Sequence, residues 1–196
     1  LEANGWACHI TDSVTRSGKL QCEVKTHDLR LLKPFIGMES LHLPPMQLSA
    51  NAQMRGDNYA LKGTLNEGPG TVNLNAHLQL AKMAYNAEVD IKDLQLHHFL
   101  PNDSIYELSG WLKAEGRGTD LLSKHTSLRA QTGIEHFRYS QWNVDSVYVG
   151  ANLKQGKGFV ELNSQNELLD INACVDVEVD RKVTNANFSM DLRKIN

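Results

Sequence analysis

Apolar and polar residues alternate along most of this chain. Leu48, Ala50, Ala52 and Met54 alternate with polar neighbours up to a Gly56-Asp57-Asn58 turn. Tyr59, Leu61, Gly63 and Leu65 run back, and Glu67-Gly68-Pro69-Gly70 makes a second strong turn. Val72, Leu74, Ala76, Leu78 and Leu80 form the clearest run of the first half, followed by Tyr85, Ala87, Val89 and Ile91. Tyr106, Leu108, Gly110, Leu112, Ala114 and Gly116 then predict a strand with small residues on one face. Leu128, Ala130 and Thr132 alternate, as do Phe137 and Tyr139. Val147, Val149, Ala151 and Leu153 lead to a turn at 155–158, and Val160 and Leu162 follow. Ile171, Ala173, Val175, Val177 and Val179 are the most regular run, and Phe188, Met190 and Leu192 close the chain. A period of two is the mark of a strand with one face turned from water. Short runs divided by Gly, Asn, Asp and Pro turns predict an all-β, mostly antiparallel fold.

The first 37 residues are less regular. WACHI (6–10) and LQCEV (20–24) predict a hairpin around 15–18, which sets Trp6 opposite Val24, Cys8 opposite Cys22 and Ile10 opposite Leu20. In that register a cross-strand disulfide between Cys8 and Cys22 is one reading, and two buried thiols the other. DLRLLKPFIG (28–37) predicts a helical turn or an irregular edge stopped by Pro34 and Gly37. TDLLSKHTSL (119–128) is the one short helix the pattern suggests, with Thr119 or Asp120 as its cap. Two pairs of segments nearly repeat: YALKGTL (59–65) with YELSGWL (106–112), and DLRLLKPF (28–35) with DLQLHHF (93–99). They suggest a single repetitive β-domain over 1–196, and the absence of an initial Met suggests a piece of a longer chain.

Composition narrows the picture. Of the 196 residues, 41% are apolar and 22% charged, and the net charge is −3, so no basic field draws nucleic acid or an anionic membrane. No apolar run reaches the roughly 18 residues of a membrane-spanning helix. Three cysteines are too few for a disulfide scaffold.

Catalytic chemistry is hard to place. The eight histidines form no His-x-His or His-x-x-x-His pair, and adjacent His97 and His98 on a strand would point to opposite faces. No metal and no cofactor is expected. Asp176, Glu178 and Asp180 line one strand face as paired hydrolase carboxylates would, but alternation with Val175, Val177 and Val179 makes that face the solvated one. No nucleophile-elbow, Walker or dinucleotide-binding motif occurs. The expectation is a protein that is not an enzyme. Trp6, Trp111 and Trp142 are scattered, and only Trp111, opposite in phase to Leu108 and Leu112, suggests a sugar or partner contact.

Several stretches together resemble one family. TVNLNAHLQL and YNAEVDIKDLQL lead to HFLP. YELSGWLKAEGRGTDL follows, and then FRYSQWNVDSVYVGANLKQGKGFVELNSQNELLDI. Residues 72–192 in this order resemble the AsmA-like proteins of the Gram-negative envelope, in particular the TamB (translocation and assembly module) branch. Residues 1–71 match only through the two repeated patterns. The resemblance implies a curled sheet, taco-like, with an apolar inner groove and at most one or two helical turns. It implies a periplasmic location, with a tether to the inner membrane outside this segment. It also implies phospholipid acyl chains as cargo, and an outer-membrane β-barrel of the assembly family as a partner through regions outside the segment.

Physics makes the groove sensible. Each exposed methylene costs about 0.8 kcal/mol in water, so a 16-carbon tail faces roughly 12 kcal/mol unless it stays covered. The expected lining is Leu48, Ala50, Ala52, Val72, Leu74, Ala76, Leu78 and Leu80 in the first half. Leu108, Gly110, Leu112, Ala114, Val149, Ala151 and Leu153 continue it, and Ala173, Val175, Val177, Val179, Phe188, Met190 and Leu192 complete it. A closed sandwich core needs the same alternation. The alternative is therefore an envelope or surface β-sandwich that binds a protein or glycan.

Overall fold

The computed structural model describes residues 2–3, 7–12, 17–26, 44–101, 103–120, 123–179 and 184–195. The DLRLLKPFIG stretch (28–37), Trp6, Leu121, Leu122 and Asp180 lie outside the described residues.

Two short strands come first, β1 (Glu2–Ala3) and β2 (Ala7–Asp12), then β3 (Ser17–Thr26). A run of long strands follows: β4 (Met46–Arg55), β5 (Asn58–Glu67), β6 (Gly70–Gln79), β7 (Ala84–Gln95) and β8 (Ile105–Arg117). The second half holds β9 (Ser127–Tyr139), β10 (Trp142–Val144), β11 (Val147–Lys154), β12 (Lys157–Gln165), β13 (Leu169–Val179) and β14 (Thr184–Ile195). Strands make up 78% of the structure, which settles the all-β class; the helical parts among the described residues are single 3-10 turns at Leu80–Lys82 and Leu96–His98.

All fourteen strands belong to one antiparallel sheet. From β3 to β14 each pairs with the next in sequence, except that β9 passes over β10 to β11. β10 folds back on β9, and β1 and β2 share the outer edge of β3. The sheet curls but does not close into a barrel. Tight turns make this meander possible. Gly56 and Gly68 take positive φ of 57° and 52° at the first central position of two-residue hairpins, where a side chain would be strained.

Bulges bend the middle of the sheet. The β7–β8 register slips between Ile91 and Leu94, where Asp93 takes φ 48°. The β8–β9 register slips twice more, before Leu108 and before Gly110. Ser109 Oγ accepts from the Asp93 amide at 2.9 Å and so holds the first bulge open. Bulges of this kind raise local twist and curvature. The β5–β6 turn packs into the bend: a Cβ on Gly70 would lie 2.7 Å from Leu94 Cα. Leu94, 9% exposed, is the one buried hydrophobic residue among those described. The same bend buries Glu67, 3% exposed, against His98 at 2.5 Å.

Several expectations are corrected here. Cys8 pairs with Leu20 and Ile10 with Gly18, two residues away from the expected hairpin register; Cys22 is a free thiol opposite Ala50. Residues 119–128 form no helix among those described. Ser123 and Thr126 donate to Asp120 and Ser123 in successive turns, and Ser127 already belongs to β9. A three-residue stack of turns lacks the length that makes a helix cooperative. His97 and His98 sit on a 3-10 turn, with rings 4.1 Å apart, and not on a strand.

Candidate functional site

Pairing fixes which residues share a face. Residues opposite each other in register point the same way, and side chains alternate along each strand. One cross-sheet row runs Leu20, Ala52, Leu61, Ala76, Ala87, Ala114, Ala130, Ala151, Val160, Val175, Phe188. Toward one end of the strands lies the row from Met54 through Tyr59, Leu78, Tyr85, Gly116, Leu128 and Leu153 to Gly158 and Val177. Toward the other lie Ala50, Gly63, Leu74, Val89, Leu112, Thr132, Val149, Leu162, Ala173 and Met190. Beyond them come Leu48, Leu65, Val72, Ile91, Gly110, Ile134, Val147, Ser164, Ile171 and Leu192. Leu94, Leu108 and Phe137 continue this face past the bulges.

The four rows span about 20 Å across, at roughly 6.8 Å per two residues, and about 48 Å along the ten steps from β3 to β14. No charged residue stands in them. Their two polar members are satisfied by backbone: Thr132 Oγ1 donates to Trp111 O at 2.8 Å and Ser164 Oγ to Leu169 O at 3.1 Å. Five alanines from β6 to β11 form a shallow trough between walls of Leu and Val.

Among the described residues this face is not a covered core. The substantial contacts of each strand are with its hydrogen-bonded neighbours, and no second layer lies over the face among the described residues. Leu61 is 37% exposed, Leu112 41% and Phe188 64%. Between β3 and β7 the curl encloses an open apolar cavity of about 690 Å³ over Leu20, Met54, Tyr59, Leu61, Leu78 and Tyr85. A second, of about 710 Å³, shares Tyr59, Leu78 and Tyr85 and extends to β11 at the turn-bearing strand ends.

The structure brings twenty of the expected lining residues onto this one face. Leu80 departs from it. Its amide donates to Asp57 O at 2.9 Å and its backbone turns off the sheet, leaving it exposed at the rim. Val179 ends β13 by register with Thr184, and its side chain lies outside the described residues. The expected lining omitted Tyr59, Leu61 and Leu65 on β5, Tyr85, Val89 and Ile91 on β7, Leu128 and Ala130 on β9, and Val160 on β12, although the same alternation marks them.

Glycines within the face differ in kind. Gly116 seats the Tyr85 ring, whose hydroxyl would lie 2.6 Å from an added Cβ. A Cβ on Gly110 would collide with the Gly133 carbonyl oxygen, while one on Gly63 would meet nothing closer than 3.7 Å. The two glycines of the near-repeat are therefore not equivalent, and β5 and β8, three antiparallel steps apart, run in opposite directions. Gly110→Ala is expected to cost about 1–2 kcal/mol by overpacking. Gly63→Ala is expected to be neutral or to stabilise by about 0.5 kcal/mol. Urea midpoints of the two variants measure the contrast.

The opposite face is polar. Asp176 and Glu178 lie on it, exposed to solvent. Trp111 also stands there, but its indole covers Gly133, where a Cβ would lie 2.6 Å from Nε1, and leans toward the Tyr148 ring at 6.3 Å. Among the described residues no cluster of His, Cys, Asp and Glu could hold a metal ion, and no helix is long and apolar enough to cross a membrane. No family model, no curated protein and no solved structure matches this chain.

Proposed function

We propose that this chain is part of a non-catalytic conduit that carries phospholipid acyl chains, of the AsmA-like, TamB-type kind that its sequence resembles. The observation supporting it is the continuous apolar face, open to solvent across eleven strands and free of charge. A sheet that is polar outside and apolar within a curl offers hydrocarbon a covered path and asks no single residue to be essential. In this reading the cargo moves between inner and outer membranes across the periplasm. The tether and any outer-membrane β-barrel partner engage through other regions.

Protein purified from a bacterial host and sprayed under native conditions is expected to carry additional mass that lipid extraction identifies as phospholipid. A clean apo mass, together with binding on a glycan array, would overturn the conduit in favour of a sugar-binding envelope module.

A further inference from the structure

One long edge of the sheet is bare. Among the described residues β14 pairs with β13 alone, and its outer side has no neighbour. The opposite edge is broken into short pieces: β1 has two residues and β2 six, against twelve in β14. A bare edge presents a row of unpaired amides and carbonyls, and proteins blunt it with short strands, charge, Pro or a bulge. β14 carries such devices only at its far end. Asp191, Arg193 and Lys194 are its charges, and the register against β13 skips Arg193. Residues 185–190 (NANFSM) hold no charge, no Pro and no Gly, and every one is exposed. Six such residues on an open edge make a template for a further strand.

The straight part of this edge is self-complementary. It runs over 184–192, up to the skipped Arg193, and Phe188 is its midpoint. Pair it antiparallel with the same strand of a second copy, about a two-fold axis at Phe188. Ala186 then falls opposite Met190 of the second copy, Asn187 opposite Ser189, and Asn185 opposite Asp191, each pair occurring twice. Small meets large, amide meets hydroxyl or carboxylate, and no like charges are opposed. Phe188, 64% exposed in the single chain, packs on its own copy. The charged end needs no new partner. Arg193 Nε already donates to Asp191 Oδ2 at 3.0 Å, and Arg193 Nη1 lies 3.6 Å from Asp170 Oδ1. The opposed residues 185–191 supply about seven backbone hydrogen bonds. Residues in register share a face, so Ala186, Phe188 and Met190 stay on the apolar side, and Asn187 and Ser189 on the polar side.

We propose that β14 pairs edge to edge with β14 of a second copy of this chain. The product is a two-fold dimer in which the apolar face runs unbroken from one copy into the other. The pairing lengthens that face whatever it carries, so it stands independently of the conduit reading.

Sedimentation of the 196-residue chain over a concentration series is expected to show a dimer at about 100 μM that dissociates on dilution, as suits an interface at the small end of the range. Phe188→Lys and Phe188→Glu each place like charges at the axis and remove the ring contact. Each is expected to weaken the dimer about tenfold or more. Phe188 is exposed, so folding of the single chain is expected to be unchanged. Mixing the two variant chains is expected to restore a dimer of one with the other. Asn187→Glu/Ser189→Glu, on the polar side of the same strand, is expected to weaken the dimer likewise. A monomer at every concentration leaves the edge to a strand of another protein and overturns the self-pairing. A mixture that stays monomeric overturns the axis at Phe188. A dimer indifferent to the polar-side pair means that the copies meet through their apolar faces, and overturns the edge contact.

Discussion

Leu61→Asp is expected to abolish acyl-chain capture while leaving the strand spectrum and denaturation midpoint nearly unchanged. Leu61 lies in the middle of the apolar face on β5, lines the apolar cavity and is 37% exposed. A carboxylate there remains in water until cargo arrives, so folding loses little. Cargo would then strip that water from an unpaired charge, at a cost of about 3 kcal/mol or more, which is roughly a hundredfold or more in affinity. Leu61→Ala removes only part of the contact and should weaken capture about tenfold or less. Leu94→Asp serves as the contrast. At 9% exposure it has no water to keep and should destabilise the fold itself. If Leu61→Asp unfolds the protein as Leu94→Asp does, Leu61 sits in a covered core and the conduit loses its floor.

The second large effect is expected at the bend. Glu67 is 3% exposed, its Oε1 meets His98 Nδ1, and its Oε2 has no partner among the described residues. His98→Ala removes the one side-chain partner and leaves a carboxylate buried with none, at a cost of about 3 kcal/mol. The damage should spread to the neighbouring turn. The His97 ring meets that of His98 at a 56° tilt and lies 5.6 Å from Tyr106, and Arg138 sits 4.7 Å over the Tyr106 ring while reaching Glu107 at 3.1 Å. Adding Glu67→Gln to His98→Ala removes the buried charge and should recover part of the loss. Urea denaturation of the single and double variants reads this directly. A midpoint for His98→Ala equal to the parent would mean that the pair contributes nothing to holding the β5–β6 turn on the bend.

Alternation carried the fold class and the identity of the apolar face, because the period of two is set by the backbone itself. Its limits are equally physical. A register shift of two preserves every face, so nothing in the pattern distinguishes Cys8 opposite Cys22 from Cys8 opposite Leu20. Leu80 is in phase with Leu78, but phase does not report where the backbone leaves the sheet to meet Asp57 O. The bulges near Asp93 and Ser109 depend on a side-chain-to-backbone bond between strands, which has no local signature. Whether the face is covered is a property of what lies beyond each strand. Exposure at Leu61, Leu112 and Phe188 answers it, and no residue type does.

The one-layer meander also determines how the protein comes apart. With contacts confined to adjacent strands, stability is a chain of seams and not a shared centre. Such a sheet peels. Its outermost strand, β14, is exposed along residues 185–195 and can be lost without disturbing β7 and β8, so amide exchange should grade inward from the edges. The bend around Leu94 and Glu67, where packing is densest, is then where peeling stalls, and the molecule behaves less like a crystal that melts than like a zip with a knot in it.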